Sequence, residues 1–372
     1  MEIHPLDLTS RAARETWDHF CSYRSNAWFW HTTDWLQYTL AYRPELQGVS
    51  LSFMVTEGDQ IVAIVPLFLE THTSDRDSHR AFTFGGGYTP APALSDQVRP
   101  ERRSEVLQDI CQRIDTLARA HQAARVLLQL SPLYWLGDPF DTILDLGRYG
   151  YLAVPLSTQV VRVNQGFSAL RQQMRKGHTY DVKRGMRMFA LTSYDAGCIT
   201  EAVFDRYRLL HAKAAGRVTR PAQTFTLMYQ WIREGKAVLI AATKDGMDAG
   251  FIYVFVYKKA AYYGSACNHP DWKRQPVGHA LQGQALTWLA ENEYAWYELG
   301  VQQCGPLLYD LPTDKELNIA AFKRGFGGLT VPLYRWEKFY SQEFFMQVYA
   351  ERVRRYAEAT FPAAEERREG KR

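Results

Sequence analysis

The chain contains an internal repeat that strongly restricts the folds open to it. Residues 51–70 (LSFMVTEGDQIVAIVPLFLE) predict two apolar strands joined by a tight turn, and residues 237–259 (AVLIAATKDGMDAGFIYVFVYKK) predict the same hairpin. The two turns begin at Glu57 and Lys244, 187 residues apart. Each hairpin is preceded by two helical stretches and followed by a third strand, a helix and a further strand. Because element type, order and turn position all match, we infer a duplicated unit.

The repeat and the length of 372 residues together predict two domains. We assign residues 1–164 to an N-terminal domain and residues 165–345 to a C-terminal domain. The C-terminal domain begins with a basic connecting helix over residues 165–190. Residues 346–372 are expected to form a terminal helix and a charged tail. The expected fold class is α/β (α+β), with a mixed sheet flanked by helices in each domain.

Composition predicts a soluble cytoplasmic protein. The net charge of +4 is too small to indicate a nucleic-acid binder, although it suits an anionic ligand if the charge is concentrated. The five cysteines are scattered without a metal-binding spacing, which favours reduced thiols and predicts no metal site. The first residues lack the features of a signal peptide. The longest apolar runs are far shorter than the ~20 residues of a membrane helix, so we expect no transmembrane segment.

The order of elements in the second half resembles that of the GNAT acyltransferase fold. In that fold, the loop before the central helix carries the pattern Q/R-x-x-G-x-G/A, and its backbone N–H groups bind the pyrophosphate of acyl-CoA at the helix N-terminus. The segment QPVGHA places Gln275, Gly278 and Ala280 in this pattern. We therefore predict that these three residues bind the donor. The alternative is that Pro276 begins the helix and that the glycine and alanine are packing residues.

The connecting segment (FSALRQQMRKGHTYDVKRGMRM) is strongly basic. Arg175 and Lys176 belong to a set of cations at helical spacing. Such a surface could bind a nucleotide diphosphate, a lipid-linked diphosphate or the phosphates of an RNA. The alternative is a solvated linker helix without a ligand.

Transfer of an acyl group to an amine needs a route for the amine's proton and a positive group near the developing oxyanion. Glu298, on the predicted strand AWYELG, and His269 are candidates for the first role, as is a chain of water molecules. Lys323 or a backbone N–H group is a candidate for the second role. Tyr263 lies beside the predicted donor loop and is a candidate donor contact.

Six segments, spread over roughly residues 25–340, resemble the FemAB-like acyltransferases, which carry two tandem GNAT-like domains. The segments are FWHTTDWLQYTL, IVAIVPLFLE with FGGGYTPAPAL, LRQQMRKGHTYDVKRGMR, YYGSACN, YELG and FKRGFGG. The resemblance implies transfer of an acyl or aminoacyl group to an amine, in the synthesis of peptidoglycan cross-bridges from aminoacyl-tRNA or in sugar N-acylation for polysaccharide and glycan pathways. It also implies a donor-site role for Phe322 and Lys323, and contacts of Arg175 and Lys176 with acceptor phosphates.

We therefore expect an N-acyltransferase built from two tandem GNAT-like domains, with its catalytic centre in the second. The acceptor would be an amino sugar, a nucleotide-linked precursor or a peptide-like precursor carrying an amine and a phosphate, with His31 and Trp35 lining its cleft. Acyl-CoA and aminoacyl-tRNA are both open as co-substrates, and no tightly bound cofactor is expected. The chain lacks the long helical arm of some tRNA-using members and keeps the Q-x-x-G-x-A pattern. Both points favour acyl-CoA without deciding between the two donors.

Two other classes of function remain open at this point. The first is a catalytically inactive GNAT-like protein that binds a glycan or a nucleotide. This alternative suits the first half, where FGGGYTPAPALSDQVRP has no Q-x-x-G-x-A before its helix. The second is an RNA-binding module led by the connecting segment, which the small net charge disfavours.

The segment NIAAFKRGFGG (residues 318–328) has three glycines directly after a basic helix end. Because the glycines follow the helix instead of preceding one, the segment does not predict a phosphate-binding loop. It predicts a C-terminal cap in which Gly325, Gly327 or Gly328 adopts the left-handed conformation. Lys323 then lies in the last helical turn, where the helix dipole favours a cation.

Overall fold

The computed structural model describes residues 1–24, 26–73, 78–134 and 146–361, and the predicted charged tail from residue 362 onward lies outside the described residues. The α-helices are α1 (Arg11–Tyr23), α2 (Thr33–Tyr42), α3 (Pro100–Ala120), α4 (Phe167–Gln173), α5 (Lys176–Met188), α6 (Glu201–Ala215), α7 (Ala222–Arg233), α8 (Val277–Glu291), α9 (Asp314–Arg324) and α10 (Gln342–Thr360). The strands are β1 (Glu2–Pro5), β2 (Val49–Ser50), β3 (Phe53–Glu57), β4 (Gln60–Val65), β5 (Phe68–Thr73), β6 (Ser78–Phe82), β7 (Thr89–Pro90), β8 (Ala93–Leu94), β9 (Ala123–Leu130), β10 (Leu152–Ala153), β11 (Leu156–Arg162), β12 (Ala190–Tyr194), β13 (Ala237–Lys244), β14 (Met247–Tyr257), β15 (Ala260–Asn268), β16 (Trp296–Gln302) and β17 (Leu329–Phe339).

The duplicated unit is present, which confirms the predicted mixed α/β fold class. The first hairpin is β3–β4 and the second is β13–β14. The helix and strand that follow are α3 and β9 in the first half, and α8 and β16 in the second. The first hairpin departs from the second at Pro66, which has no N–H group to donate to a ladder. There β4 ends, and the chain resumes as β5 in a different sheet.

Strands from both halves of the sequence join in one large sheet. Its order is β12-β13-β14-β15-β16-β11-β17-β9-β6-β5-β2, with β10 paired to β17 and β7 paired to β9. Strand β11 precedes the connecting segment, yet it lies between β16 and β17 of the second half. Strand β17 in turn pairs with β9 of the first half. The two halves are therefore hydrogen-bonded to each other along these strands, and a smaller sheet, β1-β3-β4-β8, completes the first half.

The sheet of the second half is buried on both faces. Along β14, Tyr253 and Phe255 face the cluster that contains Trp231 of α7 and much of the first half. Val254 points the opposite way, into the cluster that contains Leu286 of α8. This alternation is that of a β-strand, in which successive side chains point to opposite faces. Residues that share the face of Phe255 therefore point toward the first half.

The basic connecting segment forms two helices, α4 and α5, instead of the single helix that we predicted, with the break at Met174 and Arg175. Helix α5 packs against α8 through Gly185, where a Cβ atom would lie 2.7 Å from the carbonyl oxygen of Pro276 and 2.9 Å from the Cβ of Ala280. Such a close approach requires glycine. It holds α5 beside the first turn of α8.

Helix α9 begins with a capping box, in which Thr313 and Glu316 each accept a hydrogen bond from the backbone of the other. It ends at Arg324, and the glycines that follow include the predicted left-handed residues, Gly327 with φ +83° and Gly328 with φ +80°. Gly325 instead has φ −63°. Glycine is required at position 325 for a different reason, which is its close contact with α5.

Candidate active site

A cavity of about 360 Å³ is lined by residues of both halves; we call it the acceptor cavity. Its walls are largely aromatic. Helix α2 contributes Trp35, Tyr38 and Tyr42, which lie on one helical face because they are spaced by three and four residues. The rings of Trp35 and Tyr38 are stacked 4.9 Å apart, and those of Tyr38 and Tyr42 are stacked 5.7 Å apart. Such a wall offers apolar surface together with hydroxyl groups.

The floor of the cavity lies where β15 and β16 separate. These parallel strands pair at three positions, the last of which is Tyr262 opposite Glu298. Beyond this pair β15 continues to Asn268 and β16 to Gln302 without pairing to each other. The backbone groups that face the opening are thus available to a ligand. Tyr262 and Glu298 both line the acceptor cavity at the point where the opening begins.

Glu298 is a buried acid, with 3% of its surface exposed. Its Oε1 accepts a hydrogen bond of 2.8 Å from the hydroxyl of Thr158, and its Oε2 accepts a longer one of 3.5 Å from Ser131. Both hydroxyls come from the first half of the chain. Burial raises the pKa of Glu298 from its ordinary 4.5 to about 7, while the Thr158 hydrogen bond and the charge of Lys323 lower it by less. This carboxyl can therefore take up or release a proton near neutral pH.

Lys323 reaches the same opening from the last turn of α9. Its Nζ would lie 3.0 Å from a Cβ atom on Gly300, and the hydroxyl of Tyr262 would lie 3.5 Å from that atom. Gly300 has φ +93° and leaves the space that the lysine occupies. Burial lowers the pKa of Lys323, and the charge of Glu298 raises it by less. An acid, a cation and a phenol thus meet where β15 and β16 separate.

Two arginines give the acceptor cavity a positive lining. Arg335 donates from Nε to the amide oxygen of Gln129 at 2.7 Å, and its guanidinium lies 4.5 Å from the ring centre of Tyr88. Arg220 donates from Nη1 to the hydroxyl of Tyr38 at 3.1 Å. Neither guanidinium forms an ion pair with an acid in the part of the chain that the structure describes. A bound anion could supply the missing countercharge.

Glu70 holds the glycine-rich loop of the first half. Its carboxylate is 2% exposed and accepts hydrogen bonds from the backbone N–H groups of Gly85 at 2.6 Å and Gly86 at 2.8 Å. The protein's own acid therefore occupies these N–H donors, and the loop is held against the acceptor cavity through Gly85 and Tyr88. Sequence reasoning missed Glu70, although an acid at the end of the apolar run IVAIVPLFL was a usable signal.

The predicted donor residues lie at the start of α8. Gly278 is in the first helical turn, where N–H groups lack helical partners. A Cβ atom there would lie 3.4 Å from the ring of Phe322, so the structure brings these two predicted residues together. The amide oxygen of Gln275 accepts from Nη2 of Arg184 at 3.0 Å. The side chain of Ala280 is fully buried against α5, as the packing alternative expects, whereas the predicted donor contact concerns the loop's backbone and stays a prediction.

Two other predicted residues do not line the acceptor cavity. Tyr263 packs into the cluster on the α8 face of the sheet. Its neighbour on β15, Tyr262, pairs with Glu298 and lines the cavity, and successive residues of a strand point to opposite faces. Burial raises the pKa of Tyr263 to about 12, although a hydrogen bond with Gln282 opposes this. His269 is held at the surface, where Nε2 lies 2.8 Å from Nζ of Lys213 and Nδ1 accepts from the backbone of Asp271 at 3.3 Å.

The four predicted acceptor residues divide between three places. Trp35 lines the acceptor cavity. His31 is fully buried; Nε2 is 2.8 Å from the carbonyl oxygen of Ala91 and Nδ1 accepts from the backbone of Trp28, so it supports the wall without facing a ligand. Arg175 and Lys176 are exposed at the start of α5. Because α5 packs on α8, these two cations lie on the α8 side of the sheet and outside the cavity lining.

Comparisons with known proteins agree with this geometry. Residues 167–307 match the family described as an acetyltransferase (GNAT) domain. Among solved structures, the chain is similar to FemX, with 12% sequence identity and a TM-score of 0.66 over 94% of this chain and 100% of FemX. It is also similar to a tandem GNAT protein from the clavulanic acid biosynthesis pathway, with 14% identity and a TM-score of 0.51 over 91% of this chain and 98% of that one. Residues 167–307 thus contain a GNAT domain, and the chain as a whole has the fold of FemX and of the tandem GNAT protein.

A third similar structure is L-PGS from Bacillus licheniformis, with 12% identity and a TM-score of 0.52 over 86% of this chain and 96% of L-PGS. No curated protein sequence matches the chain. GNAT domains use acyl-CoA as a co-substrate, and the GNAT match includes Glu298 and the first turn of α8. The comparisons confirm the predicted tandem GNAT fold, and they identify residues 167–307 as an acetyltransferase (GNAT) domain.

Two further properties bear on the site. Within the described ranges, His, Cys, Asp and Glu side chains form no group of three or more that could hold a metal ion. Among the described helices, none combines the length and the apolar character needed to cross a membrane.

We predict that the stability of Glu298→Gln relative to the native chain increases as the pH rises from 4.5 to 8. A pKa raised from 4.5 to about 7 means that the folded state binds this proton more tightly than the unfolded state. The native chain therefore loses stability as pH rises from about 4.5 to about 7, by about 3 kcal/mol in total at ~1.36 kcal/mol per tenfold change in the ionisation constant. Glutamine does not ionise, so the variant does not lose this stability. Its free energy of unfolding relative to that of the native chain should therefore increase by about 3 kcal/mol between pH 4.5 and pH 8.

Urea unfolding at the two pH values measures this difference. Glu343→Gln, which changes an exposed acid on α10, is the matched control and should differ from the native chain by less than about 0.5 kcal/mol at both pH values. A constant difference between Glu298→Gln and the native chain at pH 4.5 and pH 8 would contradict the raised pKa.

Proposed function

We propose that this chain is an N-acyltransferase that moves an acyl or aminoacyl group from a donor bound beside α8 to an amine bound in the acceptor cavity. One observation carries the proposal. Glu298, a buried carboxyl with a pKa of about 7, faces the cavity at the point where β15 and β16 separate. A group that ionises near neutral pH, next to both a cavity and an opening in the sheet, suits a general base.

In the proposed reaction the amine nitrogen of the acceptor forms a bond to the carbonyl carbon of the donor. Glu298 takes the proton that the nitrogen loses. The bond from the carbonyl carbon to sulfur (acyl-CoA) or to the ribose oxygen (aminoacyl-tRNA) then breaks, and the leaving group takes up the proton that Glu298 received, which restores the carboxylate. Lys323, on the same opening, stabilises the negative charge that develops on the carbonyl oxygen.

The lining of the acceptor cavity favours an amine that also carries an anionic group. Arg335 lies near Glu298, since each affects the pKa of the other, whereas Arg220 lies by Tyr38 on α2. A phosphate or carboxylate on the acceptor would pair with one of these guanidiniums. Amino sugar phosphates, nucleotide-linked amino sugars and peptide-like precursors of the cell envelope or of glycans carry such groups. We place the reaction in the cytoplasmic synthesis of one of these precursors.

The donor side is the first turn of α8 together with the end of α9. Gly278 and Phe322 meet there, and Gln275 is held by Arg184 of the connecting segment. The helix N-terminus and the nearby cations Arg175 and Lys176 favour the phosphates of a donor. Both acyl-CoA and aminoacyl-tRNA carry phosphates, and the retained Q-x-x-G-x-A pattern favours acyl-CoA.

Donor choice is tested by thermal unfolding with coenzyme A and, separately, with aminoacylated tRNA. If acyl-CoA is the donor, coenzyme A at about 100 times its Kd should raise the Tm by about 3.5 °C, because a ligand that binds only the folded state stabilises it. Gly278→Trp should abolish this rise, since the indole would fill the space at the helix start. Gly197→Trp, on the exposed turn between β12 and α6, should retain it. A rise with charged tRNA alone would identify tRNA as the donor carrier, and no rise with either would contradict the proposal.

Turnover tests the catalytic residues. With the donor that raises the Tm and a panel of amino sugars, amino sugar phosphates and amino acids, we expect acyl transfer by the native chain, measured by mass spectrometry of the product. Lys323→Ala and Glu298→Gln should each lower turnover about 100-fold or more. Lys315→Ala, which removes an exposed lysine from the same helix, should be close to native. Near-native turnover in either active-site variant would remove that residue from the mechanism.

A further inference from the structure

The end of α9 is held by the start of α5. The last carbonyl groups of a helix have no helical N–H partners and need other donors. Here the backbone N–H of Arg175 donates to the carbonyl oxygen of Gly325 at 3.0 Å, and Nε2 of His178 lies 2.9 Å from the carbonyl oxygen of Phe322. Both contacts come from the connecting segment, 144 residues away in the case of His178.

The imidazole of His178 has one orientation and one tautomer available. The side-chain nitrogen Nη2 of Arg175 lies 3.2 Å from Nδ1 of His178. Because a guanidinium can only donate, Nδ1 must accept, and the proton of the neutral ring is on Nε2. Nε2 is then the donor to Phe322. Burial lowers the pKa of His178, which favours this neutral form.

Packing also restricts the imidazole ring of His178. His178 is 3% exposed, and its ring centre lies 5.6 Å from that of Phe322 and 4.9 Å from that of Phe326. A Cβ atom on Gly325 would overlap the imidazole. This contact explains why the first glycine after α9 is required even though its φ of −63° suits any residue.

We propose that His178 is a positioning residue that fixes the Phe322–Lys323 turn and thereby aims Nζ of Lys323 into the opening between β15 and β16. Lys323 directly follows the residue whose carbonyl group accepts the hydrogen bond, so a change in this turn moves the root of the lysine side chain. Arg175 acts through His178 by setting its tautomer. The inference deepens the proposed function, because it rests on the role of Lys323 in acyl transfer.

The test compares His178→Phe with His178→Gln. Phenylalanine keeps the ring and removes the donor, whereas glutamine carries an N–H group close to the place of Nε2. Competitive acylation of lysines by acetic anhydride as a function of pH, read by mass spectrometry, measures the pKa and reactivity of Lys323, with exposed Lys315 as the internal reference. In His178→Phe we expect Lys323 to move toward solvent and its pKa to rise toward that of an exposed lysine. We also expect kcat to fall about 10-fold or more, with little change in the KM of the acceptor. His178→Gln should restore the pKa of Lys323 and the kcat of the native chain.

Arg175→Met provides a variant that does not depend on the buried ring. It removes the side-chain donor to Nδ1, and because it also removes a cation assigned to the donor phosphates, only the labelling of Lys323 is compared; we expect the same change in labelling to a smaller extent. Unchanged labelling of Lys323 in folded His178→Phe and in Arg175→Met would overturn the inference and leave His178 as a structural helix cap. The labelling readout needs no turnover. If Lys323→Ala is fully active, the proposed function fails on that point, while the positioning of Lys323 is still decided by the labelling.

Discussion

The site depends on one hydrogen bond across the junction of the two halves, from the hydroxyl of Thr158 to the carboxyl of Glu298. A buried carboxyl without a polar partner would stay protonated far above neutral pH, whereas a carboxyl in water would be ionised well below it. Burial raises the pKa of Glu298 and the Thr158 hydroxyl lowers it, and the balance lies near 7. The second half supplies the acid and the first half supplies its hydrogen-bond donors, so neither half alone would hold the group in this state.

The shared sheet makes this arrangement possible. Because β11 lies between β16 and β17, Thr158 is placed beside the strand that carries Glu298. The same insertion brings β17, with Arg335, between the halves. Parallel pairing of β15 with β16 stops at Tyr262 and Glu298, so the opening in the sheet and the floor of the acceptor cavity coincide. A donor on the α8 side and an amine on the first-half side can thus approach the same carboxyl.

Much of this could be predicted from the sequence, because it depends on local pattern. The duplicated hairpins, the helix that begins near Gly278 and the glycines after α9 are encoded in turn residues and in periodicity. Glu298, on the predicted strand AWYELG, and Lys323, at a predicted helix end, could also be named as candidates from the sequence. Their environment could not be predicted, since it depends on pairing between strands that lie far apart in the sequence. Thr158 occupies an ordinary alternating strand with no local sign of its role.

Some predicted site residues have other surroundings for the same reason. Ala280 matches the donor pattern, but the close approach of Gly185, almost 100 positions earlier, buries it. His31 has the right chemistry for a ligand contact, yet both ring nitrogens are used within the protein. The alternation that directs Tyr262 toward the cavity directs Tyr263 to the α8 face, so its predicted donor contact stays a prediction. Chemistry-bearing residue types can be found in a sequence, whereas the direction in which each side chain points is set by the tertiary fold.

The pH dependence of kcat/KM for acyl transfer reports the ionisation of the essential base in the free enzyme. If Glu298 is this base, kcat/KM rises with pH with an apparent pKa near 7. This pKa should be higher in Thr158→Val, which removes the hydrogen bond that favours the ionised carboxyl. A profile that is flat from about pH 5.5 to 8.5, or one that Thr158→Val leaves in place, would contradict the assignment of Glu298 as the base held between the two halves.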